Sequence, residues 1–358
     1  MSESQESFEQ RVLGTVREGF TAVSIAIGSA TGLFNTMAKL GEAKTSTAIA
    51  DAAGLKERYV REWLGAMVTS GIVEIDSEKD TYYLPPHRHN ALCTQGGTGT
   101  LSVLCEGLPT AIEAYKEIVD CFKKEGPAGV PYSKYTLHPS WSDKLARCSL
   151  QDKAPKFLSE NEIIKKLLET QANVCEVGCG SGAALCLMAR DFPHCEFHGI
   201  DNAEKSIEAA KSKAKSMQLS NVTFHLVDAT NLRDIGDWKA KFDLVYCMDV
   251  VHDVGRPDLM LAGIRRLMKD DGYFVMKDVA GHTKHADNIQ NPYASCLYTI
   301  SVLRCMPTSL SCGDDSFGLG AMWGREKALE MLEEAGFECF HAGKIDLVTE
   351  DFYCRKKK

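Results

Sequence analysis

The sequence predicts an α/β fold over its larger, C-terminal part: an open sheet with helices on both faces, preceded by a mostly helical domain. Three observations predict it. Val174-Cys175-Glu176-Val177-Gly178-Cys179-Gly180-Ser181-Gly182 reads as a buried strand that stops in a glycine-rich turn, and Ala183 to Arg190 continue with small apolar residues at helical spacing. From Pro155 onward, strand-like and helix-like runs alternate, the pattern of a parallel sheet with crossover helices. The first four strand-like runs end in an acidic residue or in the glycine loop.

The strands follow in order. They are Ala172 to Val177, Glu196 to Ile200 before Asp201, Val222 to Val227 before Asp228, Phe242 to Met248 before Asp249, and Tyr273 to Asp278 after an Asp270-Asp271-Gly272 turn. Helical runs at 183–190, 203–216 and 257–268 separate them. A last helix, Arg325 to Ala335, stops at Gly336 and leads into two late strands, Phe337 to Ala342 and Asp351 to Arg355.

Residues 7–38 carry Phe8, Val12, Val16, Phe20, Val23 and Ile27 at helical offsets, up to Gly32. Such an amphipathic helix packs either within the chain or on a second copy. Thr45-Ser46-Thr47 cap a short helix, Ala48 to Ala53, which Gly54 ends. A second helix runs through Tyr59, Val60, Trp63, Leu64 and Met67 to Gly71. Ile72–Ile75 and Thr81–Leu84 then flank a polar turn. Helix-turn-helix plus hairpin outlines a winged helix. Residues 1–90 hold nine Lys and Arg against twelve Asp and Glu. An acidic module is a poor phosphate binder, so an oligomerisation or substrate-lid role is expected there, and no nucleic-acid partner.

The segment 96–155 reads as a helical linker. Gly96-Gly97-Thr98-Gly99 has no following lysine and reads as a plain loop; Leu101 to Lys124 is helical; Gly126–Pro131 is a break. Tyr132 and Tyr135, with His138 and Trp141, either roof a cleft or pack. The expected domains are 1–95, 96–155 and 156–358.

Composition bounds the function. The 358 residues are 44% hydrophobic and 25% charged, with a formal net charge of −8, ordinary for a soluble globular chain. The acidic balance argues against a nonspecific nucleic-acid binder. The 14 cysteines include no C-x-x-C pair, several stand in apolar runs, and Cys175 and Cys179 lack histidine partners at zinc-site spacing. Reduced buried thiols, no metal and a cytoplasmic location are therefore expected. The polar, acidic first residues predict no signal peptide, and no apolar run is long enough to span a membrane.

In an open α/β sheet, ligands sit beyond the carboxyl ends of the strands. Glu176, Asp201, Asp228 and Asp249 would ring one such crevice around the glycine loop. The loop also satisfies a dinucleotide fingerprint, with Asp201 standing 23 residues beyond Gly178. Three features favour a different cofactor. Glu176 is an acid inside the strand, unsuited to a pyrophosphate and suited to an ammonium. Asp228-Ala229 stand where an adenine amine would be read. The paired C-terminal strands suit a sheet with a reversed last strand.

On these residues the chain resembles the class I S-adenosylmethionine-dependent methyltransferases. The resemblance rests on Glu176–Gly182, Gly199-Ile200-Asp201, Val227-Asp228-Ala229 and Phe242–Asp249. A narrower resemblance covers nearly the whole chain, through Asp249–Asp253, Asp287-Asn288, Asn291-Pro292, Leu297-Tyr298, Cys305–Leu310 and Gly318–Gly324. It is to a poorly characterised methyltransferase subfamily with an N-terminal winged helix.

The resemblance implies a Rossmann-like sheet, dimerisation through the N-terminal region and an enclosed pocket for a small-molecule acceptor. It implies S-adenosylmethionine held by Glu176, Gly178 and Gly180 at its methionine end, by Asp201 with Asn202 at the ribose, and by Asp228 with Ala229 at the adenine, with Asp249 nearby. His252 and Asp253 look like the His-Asp pair of small-molecule O-methyltransferases, with His252 the base; Val254 stands where that family usually has tryptophan. The residues themselves leave a second reading open, in which His252 satisfies loop hydrogen bonds. Asn288, Asn291 and Tyr298 would orient the acceptor, and Met306, Met322 and Trp323 would wall it or pack in the core. O- or N-methylation is expected. A metabolite-sensing regulator and an NAD-dependent oxidoreductase are the alternatives.

Overall fold

Residues 3–95, 98–151, 153–159 and 161–358 are described by a computed structural model. Of the glycine loop expected at 96–99, Gly96 and Gly97 lie outside the described residues. The chain divides into two compact units, Met1–Ile112 with Ser140–Gln151, and Glu113–Pro139 with Asp152–Lys358.

In the first unit, α1 (Gln5–Ala30) ends where Gly32 takes a left-handed φ of 74°, and α2 (Leu33–Leu40) begins beyond it. The helix expected to end at Gly32 does so, since glycine takes that conformation cheaply, and the residues beyond it form a second helix. The side chain of Thr45 caps α3 (Ser46–Ala53), and Gly54 ends it at φ 67°. α4 (Glu57–Thr69) buries Val60, Trp63, Leu64 and Met67. β1 (Glu74–Asp76) and β2 (Thr81–Tyr83) pair antiparallel as the wing. The core of this unit joins Phe34, Ile49, Leu64, Met67 and Val73. Trp63 packs edge-on to Phe34 and donates its indole N–H to the Ser24 carbonyl at 2.8 Å.

Next come α5 (His89–Leu92), α6 (Thr100–Ala111), α7 (Tyr115–Cys121) and α8 (His138–Leu150). The expected helix over 101–124 is therefore broken. Pro109 lies in the last turn of α6, where it cannot donate to the helix ladder. Trp141 on α8 donates to the Val103 carbonyl on α6 at 2.7 Å.

The second unit is built on one sheet. Short helices α9 (Lys156–Ser159) and α10 (Glu162–Leu168) lead to β3 (Asn173–Val177), α11 (Ala183–Asp191), β4 (Glu196–Asp201), α12 (Glu204–Ser216) and β5 (Val222–Leu226). β6 (Phe242–Met248), α13 (Pro257–Leu267) and β7 (Met268–Val279) follow. Then come α14 (Ala294–Ile300), a π-helical stretch (Ser301–Cys305), α15 (Met306–Leu310), α16 (Arg325–Glu334), β8 (Phe337–Lys344) and β9 (Thr349–Lys356).

The strand order is β5-β4-β3-β6-β7-β9-β8. β5 through β7 are parallel, and β9 runs antiparallel between β7 and β8. This is the fold class that the sequence predicts, reversed last strand included. One expected turn is corrected. Asp270-Asp271-Gly272 lie within β7, where the pairing with β6 jumps from Phe242↔Met268 to Leu244↔Tyr273. The bulge absorbs the extra residues without ending the strand.

Strand alternation splits the core in two. Cys175, Val177, Val245 and Cys247 face a cluster with α13 and α16, while Val174, Leu244 and Tyr246 face one with α10, α11 and α12. A sheet covered on both faces leaves its strand ends as the accessible edge, and β3, β4 and β6 meet there around the glycine loop.

Candidate active site

The loop after β3 is held shut by its neighbour strand. Gly178 N and Cys179 N both donate to the Ile200 carbonyl, at 2.8 and 2.9 Å. Gly178 has φ 76°, and a Cβ there would come 2.4 Å from Val250 Cγ2, so both conformation and space demand glycine. Gly180, at φ 51°, opens onto empty space. Asp201 clasps the loop: Oδ2 accepts from Gly180 N and Oδ1 from Ala203 N, each at 2.9 Å. A carboxylate has about four acceptor sites, so Asp201 keeps capacity for a ligand beyond its backbone donors.

Glu176 is 2% exposed. Its Oε2 and the hydroxyl of Tyr246, its register partner on β6, are buried with no hydrogen-bond partner among the described residues. Burial pushes the Glu176 carboxyl up to about 8; the Tyr246 hydroxyl draws it back in part, and the charge of Asp201 adds to the rise. A buried carboxylate oxygen left without a donor is costly. A cationic ligand at the strand end would supply that donor.

The other acids of the ring stand at the expected strand ends. Asp228 Oδ1 accepts from Thr230 N at 2.8 Å and from its hydroxyl at 2.6 Å, capping the turn after β5, with Ala229 half-buried beside it. Asn202 is exposed. Asp249 takes a left-handed φ of 54° and pairs with Lys277 Nζ at 3.1 Å.

His252 lies on the short turn Val251–Asp253 and is 3% exposed. Its Nδ1 is 2.7 Å from Asp278 Oδ1, at the end of β7. Nε2 faces Asp253 Oδ1 at 3.3 Å. Val279 N and Trp323 Nε1 also donate to Asp278 Oδ1, at 2.7 and 3.3 Å, fixing that carboxylate. Burial lowers the His252 pKa, but Asp278 and Asp253 outweigh it and hold the imidazole well above its ordinary value. Asp278 and Cys305, which also bonds His252, are the site residues absent from the sequence reading. Asp278 had a signal: it ends the fifth strand as acids end the earlier ones. Cys305 opened the Cys305–Leu310 motif, but nothing in the sequence joins position 305 to position 252.

The expected acceptor residues divide. The Tyr132 hydroxyl meets His138 Nδ1 at 2.8 Å. Burial pushes Tyr132 up to about 12; Arg304 opposes the rise, and both Asp201 and Asp253 add to it. Tyr132 as a residue stays 41% exposed, so the burial acts at its hydroxyl end rather than over the whole side chain. Half-buried Met306 follows the π-helical stretch.

The others are engaged within the fold. Tyr135 is 1% exposed and donates to the Leu303 carbonyl at 2.6 Å. Asn288 donates to the His282 and Lys284 carbonyls and to the Tyr298 hydroxyl, and accepts from His282 N, so its amide is fully engaged. The side chain of Asn291 accepts from Tyr293 N at 3.0 Å. Buried Trp323 holds Asp278, and Met322 is buried too.

Residues 168–336 match a family described as a methyltransferase domain, and residues 19–94 match an Rv2258c-like winged HTH domain. The chain carries a class I methyltransferase domain behind a winged helix. The human N-acetylserotonin methyltransferase in complex with SAM aligns over 100% of both chains at a TM-score of 0.71 and 15% identity. The mitomycin 7-O-methyltransferase MmcR aligns over 98% of both, at 0.70 and 16%. At these identities the likeness is one of fold, that of S-adenosylmethionine-dependent methyltransferases.

The (S)-coclaurine N-methyltransferase of Papaver somniferum is 28% identical over 111 residues, which are 31% of this chain and 30% of that protein. The chain spans less than half the length of the first curated relatives it matches, 30% and 46%. The oxidoreductase and regulator alternatives are not favoured by these matches. The methyltransferase domain has S-adenosylmethionine as its cofactor, and the unpartnered Glu176 Oε2 and the open space at Gly180 fit it.

Proposed function

We propose that the protein transfers a methyl group from S-adenosylmethionine to a small-molecule hydroxyl or amine, with His252 as general base. The observation that carries this reading is Glu176: a buried acid whose Oε2 takes no hydrogen bond, beside a glycine loop that Asp201 clasps. Glu176 would take the cofactor's ammonium, Gly178 and Gly180 give it close approach, Asp201 with Asn202 takes the ribose hydroxyls, and Asp228 with Ala229 reads the adenine. Asp249 flanks the methionine end. Bound there, the cofactor supplies a methyl on a sulfonium. Positioning an acceptor in line is worth about 7–11 kcal/mol in effective-molarity terms.

With Nδ1 committed to Asp278, His252 would act through Nε2 once that nitrogen has given up the proton that Asp278 and Asp253 favour, so the base form gains with rising pH. Tyr132 and Met306 would line the acceptor space. A screen of hydroxyl, amine and thiol metabolites for S-adenosylhomocysteine release, with calorimetric titration of S-adenosylmethionine, tests the reading. Tight binding of NAD alone would reject it.

The same reading includes a homodimer. Phe8, Val12, Val16, Phe20, Val23 and Ile27 form an exposed apolar stripe along α1, and Phe20 is 71% exposed. Stripes of that length are usually covered, and a second copy supplies a matching one. A cytoplasmic setting suits this reading, and no nucleic-acid or membrane partner is part of it. Among the described residues no single helix is long and apolar enough to cross a membrane.

A further inference from the structure

Beside the proposed base, three different ligand types converge. His252, Asp253 and Cys305 each place one ligand atom within 4.8 Å of the others. His252 and Asp253 come from the turn after β6, and Cys305 from the end of the π-helical stretch. Asp253 Oδ1 is buried and takes no hydrogen bond among the described residues, although His252 Nε2 lies 3.3 Å away. Cys305 is 2% exposed.

The imidazole is oriented as a metal ligand would be. A ligating histidine commonly donates its other ring N–H to a carboxylate, which fixes the tautomer and raises its basicity. Here Asp278 engages Nδ1, which leaves Nε2 to face Asp253. A nitrogen, an oxygen and a sulfur donor match a borderline-soft cation; magnesium and calcium prefer all-oxygen shells. Three protein ligands leave a fourth position open.

The geometry points to a site for a zinc-class divalent cation made by His252 Nε2, Asp253 Oδ1 and Cys305 Sγ, with Asp278 behind the imidazole. The cation would take the lone pair that the base needs, so metal and proton exclude each other at Nε2. The site does not require that the methyl-transfer reading hold. It revises the expectation of no metal, which rested on cysteine and histidine spacing; the cluster closes only in three dimensions.

The test uses full-length protein, freed of any affinity tag and of metal, titrated with Co²⁺ and then Zn²⁺. One equivalent of Co²⁺ is expected, with a thiolate-to-cobalt charge-transfer absorption that Zn²⁺ displaces. Cys305→Ser should abolish that absorption. Asp253→Asn, at a partly exposed position, should lower affinity even where Cys305→Ser disturbs folding. Asp278→Asn should weaken Zn²⁺ by about 10–100-fold while keeping the absorption. Cys296→Ser, at an exposed thiol, should change neither. A wild-type protein without thiolate absorption at saturating Co²⁺ overturns the site, as does full stoichiometry retained in Cys305→Ser or Asp253→Asn. Metal content is read without an acceptor, so it fails or succeeds separately from methyl transfer.

Discussion

His252 and Asp278 are joined through Nδ1 and Oδ1 at 2.7 Å, and both side chains are buried. The contact links the turn after β6 to the end of β7, neighbours in the sheet. It leaves Nε2 as the nitrogen free to exchange a proton. Asp278 is itself held by Val279 N and Trp323 Nε1, so the imidazole is aimed by the sheet rather than by a mobile loop.

Removing either partner should therefore damage turnover more than cofactor binding. A positioned base contributes on the order of 10²–10⁴ in rate, and His252→Ala should cost that much in kcat. Asp278→Asn should cost roughly as much, since an amide can hold the imidazole in the wrong tautomer. The affinity for S-adenosylmethionine, measured by calorimetry, should stay within a few-fold. Unchanged turnover in His252→Ala removes the base role.

The loop and strand-end acids proposed for the cofactor were legible as elements in the sequence because they are local. Strand, glycine turn and helix are adjacent in the chain, and the strand-end acids follow from the alternation of elements. The acceptor side was not. Asn288 and Trp323 read as pocket residues because polar and aromatic side chains in a loop suggest a ligand. In three dimensions Asn288 spends every hydrogen bond on the loop 282–284 and Tyr298, and Trp323 serves Asp278. Cys305 reaches His252 through a fold-level contact that no spacing encodes. The break in the first helix was visible at Gly32, whereas the bulge in β7 was hidden because Asp-Asp-Gly has the composition of a turn.

Gly178→Ala should damage both fold and site. The substitution places a Cβ at φ 76° and 2.4 Å from Val250 Cγ2. Conformational strain and overpacking each cost about 1–3 kcal/mol. Adding Val250→Ala should recover the overpacking part alone, since the backbone strain persists. Chemical denaturation of the single and double variants separates the two, and full recovery would show that φ costs nothing there.

The stripe on α1 predicts an oligomer. Phe20→Glu puts a charge at the most exposed of its aromatic positions and should convert a dimer into a monomer of unchanged helicity. Sedimentation and circular dichroism read the two together. A monomeric wild-type protein would remove the second copy from the proposal.

Glu176 predicts a trade between stability and cofactor binding. Its carboxyl is pushed up to about 8 in the folded chain, against 4.5 unfolded. The sign follows from linkage. Between these values the folded chain keeps a proton that the unfolded chain has lost, so the contribution is full below 4.5 and is lost as pH rises toward 8. At pH 7 the loss is on the order of 3 kcal/mol. Glu176→Gln should abolish this slope and make the cofactor-free protein more stable than the wild type at pH 8, with little difference near pH 4.5.

The same substitution should weaken S-adenosylmethionine, because truncating one partner of a buried charge pair costs about 2–5 kcal/mol, or roughly 30-fold to several thousand-fold in affinity. Below pH 8 the wild type must release a proton from Glu176 to pair with the cofactor's ammonium. Calorimetry in buffers of different ionisation enthalpy should detect that proton, and affinity should rise with pH up to about 8. Glu176→Gln should release none. If its affinity matches the wild type, the ammonium is held elsewhere.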